Sequence, residues 1–285
     1  MPIIRVVIFN GILLAAAVFL FTILIMYLFE HKIARPLRHL AIAAARIGIG
    51  DLDNVIKPES NDEIGHLATS FELMRGKLSN LLTKVNDKNK QLLNAYDVTI
   101  RAFYKAIEQR ESNTAEHSLQ VNAIAMEIGR KIGLKEEELR HLNWGTLLHD
   151  LGKLAIDDSV LLKPGPLNDG EYSLIKKHPE VGYNILIESD FLRETAEVAL
   201  YHQEKFDGTG YPYGLSGENI PLLARICSVA DAFQAMIADR PYRRGMSLED
   251  AVQELRRCRG KHFDPMVVDV FLSLDFSELK RRSVS

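Results

Sequence analysis

The sequence predicts an all-α chain, and three observations carry that prediction. Residues Val6 to Phe29 form an unbroken run with no charged side chain. Between residues 33 and 85, apolar residues recur in steps of three and four. From about residue 92 onward the spacing stays helical, and the alternation expected of strands is scarce.

The first run has 24 residues. As a helix it rises roughly 36 Å, enough to cross a hydrocarbon core of about 30 Å with some tilt. Arg5 and the amino terminus precede it, whereas His31, Lys32, Arg35 and Arg38 follow. That asymmetry predicts a single-pass anchor with everything downstream in the cytoplasm. A cleaved leader would have an apolar stretch of only about 7–15 residues ending in small residues. Here Ala15 to Ala17 sit mid-run. With so little chain before it, the input is expected to reach the anchor itself, a partner, or a part upstream of the given start.

Residues 33–82 read as helix, connector, helix. The first helix follows Pro36, carries Leu37, Leu40, Ala41, Ala44 and Ile47, and ends at Gly48 and Gly50. The second opens at Asp62-Glu63, acids suited to a helix N-terminus. Ile64, Leu67, Phe71, Met74, Leu78, Leu81 and Val85 then make a heptad seam. Arg35-Pro36-Leu37, Gly50-Asp51-Leu52, Asp62-Glu63-Ile64-Gly65 and Phe71 with Met74 resemble a HAMP linker. That resemblance implies a helical hairpin that forms a parallel four-helix bundle in a homodimer. Asn86 to Lys90 interrupt the seam, and Leu92, Leu93, Tyr96, Ile100 and Phe103 resume it in a shifted phase, which predicts a signalling helix with a local change of winding. The expected segments are a membrane helix at 6–29, a HAMP domain at 30–83, a coiled-coil linker at 84–110 and an all-helical domain at 95–285.

Within that last domain helices are predicted at 115–132, 135–151, 169–187, 190–203, 221–238 and 247–257, with loops at 152–168 and 204–220. The chain carries 35 basic and 38 acidic residues for a net charge of −3, so no bulk attraction to DNA is expected and a polyanionic ligand would need local cations. Cys227 and Cys258 form no CxxC pair and read as ordinary thiols of a reducing compartment.

The nine histidines separate by context. His31 and His39 are juxtamembrane, His66 and His141 read as solvated, and His262 lies in a loop. His117, His149, His178 and His202 remain. His149-Asp150 ends an apolar helix holding Trp144, Leu147 and Leu148, where both groups are costly to bury without partners. A metal removes that cost, and imidazole with carboxylate suits Fe, Mn or Zn. Lys153 would share their face if the helix continued that far.

The ordered motifs then narrow the reading. His149-Asp150-Leu151-Gly152-Lys153 is followed by His178-Pro179 with Gly182, and by His202-Gln203-Glu204. Then come Asp207-Gly208-Thr209-Gly210-Tyr211-Pro212, Val229-Ala230-Asp231, Asp239-Arg240-Pro241-Tyr242-Arg243 and Phe263-Asp264-Pro265. Over roughly residues 95–275 this resembles an HD-GYP domain, the phosphodiesterase branch of the HD hydrolases. The resemblance implies an all-α metallohydrolase that cuts cyclic di-GMP to pGpG and often on to GMP. Its ligands for two divalent ions, iron or manganese, would be His117, His149, Asp150, His178, His202 and Asp231, with Asp150 as the bridge. Lys153 would act on the leaving oxygen. Arg240 and Arg243 would hold phosphate, and Gly208, Gly210, Tyr211 and Pro212 would shape the nucleotide pocket together with Lys153. The sequence departs from the family pattern twice. Gln203 stands where many members have a second histidine, which makes it a doubtful ligand. Asn113 stands where three-metal members have a glutamate, which implies two ions; Glu111 and Glu116 have the wrong spacing. Two alternatives stay open: another cyclic dinucleotide such as cyclic GMP-AMP, or a catalytically weak receptor for nucleotides or partner proteins.

Overall fold

The structure, a computed structural model, describes residues 2–110, 117–239 and 244–275. Twelve α-helices order the described residues: α1 (Pro2–Phe29), α2 (Arg35–Gly48), α3 (Glu63–Arg110), α4 (His117–Ile132), α5 (Glu136–Leu148), α6 (Asp158–Leu161), α7 (Asp169–Ile175), α8 (His178–Leu186), α9 (Arg193–Tyr201), α10 (Leu222–Ile237), α11 (Leu248–Cys258) and α12 (Pro265–Leu272). No strand occurs among the described residues; only two isolated bridges do. The all-α prediction is borne out. The chain divides into two compact units, Met1–Leu93 and Asn94–Ser285, with the boundary inside α3.

In the first unit, α1 is long and apolar enough to cross a membrane. Its apolar side chains are exposed, Phe21 and Leu24 among them. No loop separates it from α2. A π-helical turn, Glu30–Ala34, joins the two. The wider turn sits just before Pro36, whose ring would otherwise press on the carbonyl four residues back. After α2, Gly50 takes a positive φ of 84° and the connector begins. Asp62 caps α3 by accepting from the Ile64 and Gly65 N–H groups at 3.0 and 3.1 Å, as its position predicted. Glu72 accepts the Ile56 N–H at 2.8 Å, and Arg75 donates to the Leu52 carbonyl at 2.5 Å. These bonds pin the connector along α3. Leu67, Met74, Leu78, Leu81 and Val85 of the seam stay exposed.

The second unit builds its own core. Val121, Ile124, Ala125 and Ile128 of α4 meet Leu142 of α5, Ile226, Val229 and Phe233 of α10, Leu255 of α11 and Phe271 of α12. Helix α12 falls outside the predicted set. Its signal was Asp264-Pro265: Asp264 accepts the Met266 N–H at 2.7 Å, Pro265 takes an early helical position, and Arg225 holds the same carboxylate. A buried, ion-paired helix cap explains this motif without catalysis.

Several local expectations need correction. The predicted loop 152–168 holds the short helix α6, which Asp157 caps by accepting the Ser159 N–H at 2.8 Å. The predicted helix 169–187 is broken at Lys176-Lys177, because His178-Pro179 starts α8 anew and a proline ends the preceding hydrogen-bond ladder. Helix 135–151 stops at Leu148, and a 3₁₀ segment, Leu151–Ala155, follows. His141 is buried rather than solvated: its Nδ1 lies 3.2 Å from Thr195 Oγ1, and its ring meets Trp144 edge-on at 5.7 Å. Cys227 and Cys258 are free thiols.

Candidate metal centre

Three helix ends meet at one point. His149 follows the last turn of α5, His202 follows that of α9, and His178 opens α8 just beyond α7. Each ring turns one nitrogen to the carbonyl three residues back. His149 Nδ1 reaches Thr146 O at 2.7 Å, His178 Nδ1 reaches Ile175 O at 2.7 Å, and His202 Nδ1 reaches Ala199 O at 2.8 Å. Helix ends leave such carbonyls without intrahelical partners. The shared bond fixes the Nδ1–H tautomer and leaves Nε2 as the ligand atom of all three rings.

Those Nε2 atoms surround Asp150. Its Oδ2 lies 3.2 Å from His149 Nε2. Its Oδ1 lies 3.4 Å from His178 Nε2 and 3.9 Å from His202 Nε2. One carboxylate thus faces a histidine on one side and two on the other. His117, His149 and Asp150 form one cluster of converging ligand atoms, and Asp150, His178 and His202 form a second. His117 Nε2 lies 3.2 Å from Asp231 Oδ1, which brings the sixth predicted ligand to the first cluster. Lys153 Nζ donates to Asp150 Oδ2 at 2.7 Å. The 3₁₀ turn, not a continued helix, delivers it.

A glycine makes this convergence possible. A Cβ on Gly152 would lie 1.9 Å from the His178 carbonyl oxygen and 2.6 Å from the Gly182 nitrogen. The turn after Asp150 therefore rests directly on the start of α8, and Asp150 and His178 are brought face to face by backbone contact.

The electrostatics match the geometry. Burial resists ionising Asp150, but His149 and Lys153 outweigh it and hold its carboxyl well below the usual range. Burial opposes Asp231 too, yet its bond to His117 and the charge on His149 bring it to about 2. Burial would lower His149, but the Asp150 carboxylate raises it to about 9. Burial and then the charge on His149 push His202 down to about 3. Burial likewise lowers His178. Two ionised acids beside the His178 and His202 imidazoles, which burial keeps neutral, are ready ligands, and a cation at His149 would take the place of its proton.

One observation tests whether a metal fits. His149 is fully buried, and its Nε2 makes no well-aligned hydrogen bond; the Asp150 carboxylate stands near it, at 3.2 Å, so a neutral ring there leaves its lone pair facing an anion, a costly state. His178 and His202 point Nε2 at Nε2 across 3.2 Å, a contact that two lone pairs resist. Cations lying among these atoms would satisfy both.

The Tyr211 loop folds back on the His202 segment. Tyr211 N–H donates to the Gln203 carbonyl at 3.2 Å. Glu204 Oε1 accepts from the Tyr213 and Gly214 N–H groups at 2.8 and 3.0 Å. A Cβ on Gly210 would lie 2.5 Å from Glu204 Cα, so only glycine allows this closeness. Gly208 has φ +83°, and the Tyr211-Pro212 bond is cis. Burial, then Tyr172 and Asp150, push the Tyr211 hydroxyl up; the ring stands within the field of the centre. Arg240, Arg243, Glu111, Asn113 and Glu116 lie outside the described residues. Two residue roles escaped the sequence reading. Glu204 holds the loop, and Gln234 accepts the His117 Nδ1–H while bonding Gln120 at 3.0 Å. Gln234 stands three residues after Asp231 on α10, the spacing that puts two side chains on one face.

The family model described as HD domain matches residues 101–267, and that described as HAMP domain matches residues 28–80. The cyclic di-GMP phosphodiesterase response regulator RpfG of Xanthomonas campestris is 36% identical over 246 residues, covering 83% of this chain and 64% of that protein. A cyclic di-GMP phosphodiesterase of Thermotoga maritima is 39% identical over 170 residues, covering 59% of this chain and 46% of that protein. The crystal structure of a cyclic GMP-AMP specific phosphodiesterase from Vibrio cholerae superposes with a TM-score of 0.50 at 25% identity, covering 66% of this chain and 52% of that one. The chain belongs to the HD domain family, with a HAMP domain preceding the HD domain. It spans less than two thirds of the length of either curated relative, 64% and 46%.

Proposed function

We propose that this chain is a membrane-anchored, metal-dependent phosphodiesterase that cuts cyclic di-GMP to pGpG, and on to GMP where pGpG is retained. The observation that carries this reading is Asp150, one carboxylate shared by two histidine clusters. His117, His149 and Asp231 would hold one ion and His178 and His202 the other, iron or manganese, with Asp150 on both. Gln203 would leave the second ion's remaining position to water. Such a pair supplies water activation and charge neutralisation at phosphorus. Lys153, bonded to Asp150, is placed to give a proton to the 3′ oxygen as its bond to phosphorus breaks. Arg240 and Arg243 would bind phosphate, while Gly208, Gly210, Tyr211 and Pro212 would shape the pocket. The names of the Xanthomonas and Thermotoga relatives support the substrate.

The apolar run of α1 supports a single-pass anchor with the catalytic unit in the cytoplasm. The exposed seam of α3, which one chain leaves uncovered, supports a parallel homodimer through the HAMP domain and coiled coil.

The test is turnover of cyclic di-GMP by the full chain, purified in detergent and loaded with manganese or ferrous iron, with products resolved. Hydrolysis to pGpG or GMP is expected. Full occupancy by two ions without hydrolysis would reject the enzyme reading. Preference for cyclic GMP-AMP would move the assignment to the activity named for the Vibrio structure.

A further inference from the structure

The break between α7 and α8 places a lysine at the rim of the centre. Tyr172 and Lys176 are one helical turn apart, and Lys176 Nζ lies 4.7 Å from the Tyr172 ring centroid. The same Nζ lies 5.4 Å from the centroid of Tyr211. Tyr211 belongs to the loop held by Glu204, and its hydroxyl feels the charges of Asp150, Lys153 and Asp231. Lys176 is therefore held against the Tyr211 loop, two residues before His178.

Its charge is held but not cancelled. Lys153 is paired with Asp150, and Lys163 with both oxygens of Glu171 at 2.8 and 2.6 Å. Among the described residues Lys176 faces aromatic rings rather than a carboxylate. Ring faces attract an ammonium without neutralising it. Its N–H donors remain available to an anion.

We propose that Lys176 binds the second phosphodiester of the substrate, the one that is not being cut. This rests on the cyclic-dinucleotide reading above. A cyclic dinucleotide carries two phosphodiester anions in one closed ring, so fixing the first at the Asp150 centre holds the second at a set place beyond it. Lys176 stands at the rim, and its contact is remote from the breaking bond. It is a positioning residue whose binding energy enters ground state and transition state alike, so its loss appears in KM rather than kcat.

The experiment uses the metal-loaded full chain and three substrates: cyclic di-GMP, 3′3′-cyclic GMP-AMP and bis(p-nitrophenyl) phosphate, which has a single phosphodiester. Lys176→Met is expected to raise KM for cyclic di-GMP about tenfold, the worth of one charged hydrogen bond, with kcat within about twofold. Any cyclic GMP-AMP turnover should lose as much, since it carries the same two phosphates. The p-nitrophenyl ester should be cut as before, and Lys176→Arg should restore KM. An unchanged KM would overturn the proposal. So would an equal loss on the single phosphodiester, which marks general damage, or a loss confined to one dinucleotide, which marks a base contact. Wild-type cleavage of the p-nitrophenyl ester but of neither dinucleotide would instead reject the substrate reading, and the role of Lys176 with it.

Discussion

The two units of this chain solve the same problem in opposite ways. Both are helical, and both contain many large apolar residues. In the second unit those residues cover one another, so Val121, Ile128, Leu142, Ile226, Leu255 and Phe271 are almost wholly buried. In the first unit α1 exposes its apolar side chains, and the seam of α3 stays open. One unit closes a core by itself; the other is written for surroundings that a single chain does not supply. A metal centre needs rigid, buried support, and the histidine clusters sit where three helices end together.

The strongest way to break the comparison is to remove what the first unit offers a bilayer. A chain lacking residues 2–34 should move from the membrane fraction to the soluble fraction. Burying that much apolar surface at about 25 cal/mol per Å² far outweighs any competing term. Sedimentation with vesicles reads the outcome, and a truncated chain that still pellets would contradict the anchor. Next is the centre itself. Asp150→Ala should lower turnover by about 10³-fold or more, because a shared ligand supports several kcal/mol of transition-state stabilisation. Mass spectrometry should show both ions lost while circular dichroism stays helical. Retained activity would reject Asp150 as the bridge.

A smaller effect should follow from Gly152→Ala. The new Cβ would strike the His178 carbonyl, a backbone group that cannot rotate away, at a cost of roughly 1–3 kcal/mol. Denaturant unfolding of the second unit measures it, and metal content should fall with it because Asp150 and His178 are forced apart. The smallest expected change is at the edge of the second unit, on α3. Trp144 Nε1–H donates to Asp97 at 2.5 Å, and Tyr96 stacks on Phe191 at 4.5 Å. Asp97→Ala should cost about 1 kcal/mol by stranding the indole N–H. An unchanged unfolding midpoint would show that this bond adds no stability. Trp144 lies five residues before His149 on α5, so this contact joins α3 to the helix that ends at His149.

Much of the site was legible beforehand because its chemistry is written in residue types. His149-Asp150 at the end of an apolar helix cannot be buried without a partner, and the spacing to His178, His202 and Asp231 follows motif order. Lys153 was legible as well, though by the wrong route: a 3₁₀ turn brings it to Asp150. His141 was misread because its neighbours in sequence are polar, whereas Trp144, Phe191 and Thr195 close over it from a distance. The Pro179 break and the Asp264-Pro265 cap were visible as residues, yet their effect depends on what packs behind them.

The sequence by itself determined the helical class, the apolar span and the seam, because periodicity is a local property, and its motif order, through the family resemblance, pointed to the candidate ligands. Only the tertiary structure decided that Asp150 turns one oxygen toward His149 and the other toward His178 and His202, and that Gly152 lets the two segments touch. It also decided that Glu204 and Gln234 hold the loop and the first histidine, and that Lys176 stands over two tyrosines. Those facts depend on distances between residues far apart in the chain, and packing alone sets them.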